Sequence, residues 1–165
     1  MATRGICQTS ASDQRRVDGF IRELEQITNQ PSKVAVGLPE DSLPYPDGTS
    51  TILVAIVNEF GSPENNIPER GFLRAGTAVA TKKVKKLLRK GLARKVLRGE
   101  ISAENSLSLI GQLAEDQVKK AIVDFTDPPN ADSTLAAKAP KTSPLQNSGH
   151  LRQSVRHEVN PDEHD

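Results

Sequence analysis

Thr51-Ile52-Leu53-Val54-Ala55-Ile56-Val57-Asn58-Glu59-Phe60 (TILVAIVNEF) is the stretch on which the fold turns. Its composition suits a strand or a helix. Ile52, Leu53, Ile56, Val57 and Phe60 recur at i, i+1, i+4, i+5 and i+8, which is the helical template. Strict alternation fits worse, because Leu53 and Val57 would then face away from Ile52 and Ile56. The stretch is therefore predicted as a helix, closed by Gly61-Ser62-Pro63.

Upstream, Pro39 to Ser50 holds three prolines and Asp47-Gly48 and is a loop. Before it, Lys33-Val34-Ala35-Val36-Gly37-Leu38 is a short β-branched run that predicts a strand. A helix precedes that strand, with Ser12 as cap and Val17, Phe20, Ile21, Leu24 and Ile27 on one face. Pro31 ends it, since the residue before proline disfavours helical geometry. Residues 1–11 form an arm in which Gly5–Thr9 could add an edge strand. They carry one Arg and no apolar h-region, so no secretory signal is expected.

Downstream, a long helix is predicted from Pro68, a favoured first-turn residue, to about Arg98, where Gly99 stops it. Its stripe comprises Phe72, Leu73, Val79, Ala80, Val84, Leu87, Leu88, Leu92, Val96 and Leu97. A second helix starts at the cap Ser102 and carries Leu107, Ile110, Ala114, Val118, Ile122 and Phe125 on one face, ending at Asp127-Pro128-Pro129. The short link predicts an antiparallel hairpin of helices. Residues 130–146 are rich in Ala, Pro, Ser, Thr and Lys and are expected to be a solvated, extended loop. Asn147–Arg152 predicts a helical turn, Ser154–Val159 a strand, and 161–165 a disordered acidic tail. The expected class is α+β: one domain over 12–160, with a small antiparallel sheet covered by helices, including a long antiparallel helix pair.

The 165 residues carry 22 Lys+Arg against 21 Asp+Glu, a net charge of +1, which argues against a histone-like coat for nucleic acid. Hydrophobic residues are 35% and aromatics 3%, so the core is lean and aliphatic and should draw on neighbours, its own copies or other proteins. No apolar run approaches the roughly 20 residues of a membrane span. The single Cys7 can make neither an internal disulfide nor a zinc site, which suits a reducing cytoplasm.

No catalytic constellation is legible. His150, His157 and His164 fall seven apart near the end of the chain, a spacing that offers no metal pair, and are expected to be surface histidines. Ser148-Gly149-His150 places a hydroxyl beside an imidazole without the elbow a nucleophile needs. Gly71-Phe72-Leu73-Arg74-Ala75-Gly76-Thr77 echoes a phosphate loop but lacks its lysine. No enzyme activity, cofactor or metal is expected. The one conspicuous charge feature is Lys82, Lys83, Lys85, Lys86, Arg89, Lys90, Arg94, Lys95 and Arg98, with no acidic residue between them. These cations occupy about 25 Å of helix. They could face DNA or an acidic partner, or be balanced by Glu100, Glu104, Glu115 and Asp116 of the helix that folds back.

Three ordered segments resemble a known group. They are Ala55–Ser62 with Ile67–Arg74, then Ile110-Gly111, then Pro144–Val155. Their pattern is similar to the small neck proteins of tailed bacteriophages, the tail-completion or head–tail joining group that includes the minor tail protein Z type. In that group a helix ending Glu-Phe-Gly leads to an Ile-Pro-x-Arg-x-Phe-Leu-Arg helix start. The chain then closes with Pro-Leu-x-x-(Thr/Ser)-Gly-x-Leu-x-x-Ser. Gly71 stands where Pro or Ser is common, and Asn147-Ser148 where Asp-Thr is usual. The matching residues are Glu59, Phe60, Gly61, Pro68, Arg70, Phe72, Leu73, Arg74, Leu145, Gly149 and Leu151.

The resemblance implies a non-enzymatic virion protein of the neck, assembled in the host cytoplasm. It implies a ring of identical subunits, a hexamer to match tail symmetry. Its partners would be a head connector or stopper and a tail terminator or tail-tube protein, with genomic DNA passing through the lumen and no membrane contact. Phe60 is expected to pack on Phe72-Leu73, Glu59 to pair with Arg70 or Arg74, and Tyr45 and Asp47 to present a loop to a neighbouring subunit. Lys85, Lys86, Arg89 and Lys90 are candidate interface cations. The rival reading is a small cytoplasmic DNA-binding or phage assembly-chaperone protein that uses helix 82–98.

Overall fold

The β-branched run after Lys33 forms β1 (Val34–Gly37), and it finds its partner at the far end of the chain, in β2 (Arg156–Val159). The two pair antiparallel, Val34 opposite Val159 and Val36 opposite His157. Asn160 closes the ladder, its backbone N–H donating to Lys33 O at 2.8 Å and its Oδ1 accepting from Lys33 N at 3.0 Å. Between the strands lie α1 (Thr51–Phe60), α2 (Phe72–Arg89), α3 (Leu92–Leu97), α4 (Ala103–Asp124) and α5 (His150–Ser154). This α+β architecture is that of a computed structural model, which describes residues 12, 15, 18, 19, 21, 22, 33–131, 134–136 and 143–160. The expected strand Gly5–Thr9 and the tail 161–165 lie outside the described residues. Of the first expected helix, Ser12, Arg15, Asp18, Gly19, Ile21 and Arg22 are described, all helical and exposed.

The 22-residue α4 is the central element, packed on α2 along one side and on both strands along another. Ser102 caps it, accepting from Asn105 N at 3.1 Å. Val118 and Ile122 are fully buried with Phe72 and Val155, and Ala55, Leu145 and Leu151 complete that cluster. Burying one such side chain stabilises the fold by about 1.5–3 kcal/mol. Two glycines let the layers approach. A Cβ on Gly76 of α2 would stand 2.5 Å from Val118 Cα, and one on Gly111 of α4 would stand 2.3 Å from the His157 ring. Gly76→Ala is therefore expected to destabilise by about 1–3 kcal/mol. The gain in helix propensity, about 1 kcal/mol, does not offset a clash with backbone. A lowered urea midpoint checks this, and a raised one would refute it.

Several expectations need correcting. The helix predicted from Pro68 to Arg98 is two helices and starts later. Pro68 lies outside it because the chain is first closed by the Ser62–Ile67 bridge and then tied by Arg70 N to Asn58 O at 2.6 Å. Gly91, at φ 106°, breaks the run. Its left-handed backbone redirects the chain after Lys90, the C-cap of α2. Val79, Leu88 and Leu97 belong to the sequence stripe yet are more than two-fifths exposed. Ser154 ends α5 instead of starting a strand, and Val155 is core. The loop 130–146 is not solvated throughout: Thr134, Leu135 and Ala136 are helical, and Pro144 and Leu145 are buried.

Candidate assembly interface

The corner between α1 and α2 gathers most of the residues that carry the resemblance. Glycine at position 71 cannot cap α2 with a side chain, so the orphan N–H groups at that helix start need another acceptor. Glu59, only 4% exposed, supplies it from the last turn of α1. Its two oxygens accept from Leu73 N at 2.8 Å and Arg74 N at 3.1 Å, and Arg74 Nε donates to the same carboxylate at 3.3 Å. A carboxylate at a helix N-terminus also meets the positive end of the helix dipole. Arg74 bonds Glu69 as well, and those two carboxylates, Glu69 first, raise its pKa.

Gly61 makes the corner possible. Its φ of 75° suits glycine, and a Cβ there would stand 2.8 Å from Glu69 N. Of the two expected pairings, Glu59 takes Arg74, and Arg70 takes neither carboxylate. Arg70 is buried and donates to the carbonyls of Pro128 at 3.1 Å and Pro129 at 3.0 Å, fastening the segment after α4 to the start of α2. Burial lowers its pKa. Phe72 is fully buried, whereas Phe60, expected to pack on Phe72-Leu73, is 67% exposed and shares with Leu73 the lining of a depression.

Tyr45 and Asp47 are not free loop groups either. The Tyr45 ring lies 4.6 Å from that of His150, and burial raises its pKa. Asp47 accepts from Thr49 N at 2.9 Å, a bond that lowers the pKa of its exposed carboxyl. His150 Nε2 sits 2.8 Å from Leu43 O and donates to it. Gly149, with φ 86°, starts α5 and thereby places Leu151 in the core. A cleft of about 630 Å³ beside these groups is lined by Tyr45, Asn58, Arg70, Asn130 and His150. Arg70 reaches Asn58 Oδ1 and Asn130 Oδ1 there, each at 3.4 Å, and Asn130 Nδ2 is buried without a partner among the described residues. The phosphate-loop echo at 71–77 is helix from Phe72 onward, with Gly76 pressed on α4. Among the described residues no group of three His, Cys, Asp or Glu could hold a metal, and no helix is long and apolar enough to cross a membrane.

His157 is not a surface histidine. Its Nδ1 lies 2.6 Å from Glu115 Oε2, and Lys119 bonds the other oxygen at 2.5 Å. Burial pushes the Glu115 carboxyl up, and the bonds from Lys119 and His157 outweigh it, leaving the pKa below its ordinary value. A lowered folded-state pKa adds stability that is full above the unfolded value of about 4.3 and is lost as pH falls through the folded value. Glu115→Gln should therefore lower Tm at pH 7, and the gap to the parent should shrink below about pH 4. A gap independent of pH would refute the assignment. The signal for this site in the sequence was a glycine, Gly111, inside an apolar helix face.

The basic run lies open. Lys82, Lys83, Lys85, Lys86, Arg89, Lys90, Arg94, Lys95 and Arg98 are all exposed. Lys83 donates to Gln117 at 2.6 Å, and Arg98 is 3.7 Å from Glu100. The other seven make no ion pair with a described residue, and the expected balance from Glu104, Glu115 and Asp116 is not formed. Lys82, Lys85, Lys86 and Arg89 share one side of α2, at spacings where like charges repel by about 0.2–0.5 kcal/mol per pair. The favourable dipole at the C-terminal turn offsets this only for Lys86 and Arg89.

No family model matches the chain, and neither the curated proteins nor the solved structures yield a match.

Proposed function

We propose that the chain is a structural, non-enzymatic protein of the tailed-phage neck, acting in tail completion or head–tail joining. It would form a ring, a hexamer to match the tail, between the head connector or stopper and the tail terminator or tail tube, in the virion after assembly in the host cytoplasm. One observation carries this reading. The residues that bear the resemblance tie the fold's own elements together: Glu59 caps α2, Arg70 holds the carbonyls of the segment after α4, and Gly149 starts α5 with Leu151 in the core. They define a rigid part, while large apolar and cationic groups remain outside for interfaces.

Deleting the gene from the phage that carries it should leave filled heads and separate tails, which added protein joins. Unchanged infective particles, or a block before head filling, would refute the proposal. The seven cations that make no ion pair with a described residue support a second reading, a DNA-binding or assembly-chaperone protein. Under that reading, affinity for duplex DNA is substantial at low salt and falls steeply toward physiological salt.

A further inference from the structure

We propose that the outer face of α1 is a docking site for residues 12–27 of a second copy of this chain. The proposal rests on the ring reading and supplies the contact that would build the ring.

The apolar pattern of α1 and its burial do not coincide. The residues turned to the core are Thr51, Ala55 and Glu59, a small polar, a small apolar and a charged side chain at i, i+4 and i+8. The large residues Leu53, Ile56 and Phe60 are 55%, 51% and 67% exposed. Spaced i, i+3 and i+7, they lie along one face over about 10 Å of axis. A depression of about 350 Å³ runs beside them, with Leu38, Ile52 and Leu73 in its lining. A helix that turns its largest apolar groups outward next to an apolar depression is shaped to receive another helix. Singly exposed hydrophobics need no explanation, but a contiguous row of them does.

The chain carries a matching occupant. Val17, Phe20, Ile21, Leu24 and Ile27 recur at helical spacing in the segment after Ser12. Ile21, the described member of that set, is 45% exposed. Ile21 and the row Leu53, Ile56 and Phe60 are therefore all uncovered in the single chain, so Ile21 does not lie on its own α1. Association of one copy's segment with the next copy's α1 removes both from water. Such a contact is head-to-tail, each chain offering one segment and one face, and a head-to-tail contact that closes generates a ring. It also fits a chain whose own core is lean.

The test uses the full chain and two double variants, Phe20→Glu with Leu24→Glu and Leu53→Glu with Phe60→Glu, sized by light scattering across concentration. The parent should form a closed oligomer. Each variant alone should be monomeric, with assembly weakened at least a hundredfold, and circular dichroism should report unchanged helix content. Mixed, the two variants keep one intact segment and one intact face between them and should form a one-to-one dimer that grows no further. Oligomers of parent size from both variants would overturn the docking site and leave the ring reading standing. Failure of the mixture to dimerise would overturn it as well. A parent that stays monomeric at all concentrations would overturn both readings. In a Cys7→Ser background, Ile21→Cys with Phe60→Cys should cross-link between chains, and a bond formed within one chain would refute the second-copy occupant.

Discussion

Glu59→Ala is expected to lower stability by about 2–4 kcal/mol, a large fraction of what a single domain has. The carboxylate is 4% exposed and accepts from two backbone N–H groups of α2. With it gone, those donors face a site that water hardly reaches, and each unsatisfied buried donor costs about 1–3 kcal/mol. The Arg74 ion pair adds little, because that side chain is 62% exposed and solvent screens the pair. Tm should fall by about 5–15 °C. Glu59→Gln, which keeps one acceptor oxygen, should fall less. Loss of helix at the start of α2, followed by hydrogen exchange at Leu73 and Arg74, would locate the effect. A Glu59→Ala protein as stable as the parent would mean that α2 does not depend on this cap.

The largest functional effect is expected from reversing Lys85, Lys86, Arg89 and Lys90 to Glu. All four are exposed and make no ion pair with a described residue, so the fold should survive the change. In a neck, DNA passes through an axial channel whose wall must let the polymer slide. Close positive charges on that wall would grip phosphates, since each phosphate neutralised releases counterions and adds affinity. The basic face should therefore look away from the lumen, toward acidic surfaces of adjoining proteins, where opposite charges steer encounter and set register. Reversal places like charges across that contact, at a cost of several kcal/mol, more than a hundredfold in joining. Head–tail joining should fail while free tails look normal. Normal joining with altered DNA ejection would put the helix in the channel instead. Normal joining and ejection would make the run a solvated face. Salt separates the rival reading: affinity of the parent for duplex DNA that drops steeply with salt would favour a nucleic-acid binder.

Local chemistry in the sequence determined the elements. The period of Thr51–Phe60 marked α1 at the bounds the structure has, Ser102 marked the start of α4, and the β-branched run marked β1. These signals act within one or two turns, and neighbouring residues suffice to read them. The α+β class followed, because few strands, far apart in sequence, leave only a small antiparallel sheet to be covered by helices. The tertiary structure decided everything that depends on a partner distant along the chain. Glu59 caps a helix 14 residues on, Arg70 binds carbonyls 58 and 59 residues away, and His157 meets Glu115 across 42. It also decided which side of α1 faces inward. Periodicity reveals that a helix has an apolar stripe, but the same stripe serves a chain's own core or a surface offered to another molecule. Only the packing of Thr51, Ala55 and Glu59 against the core left Leu53, Ile56 and Phe60 outside.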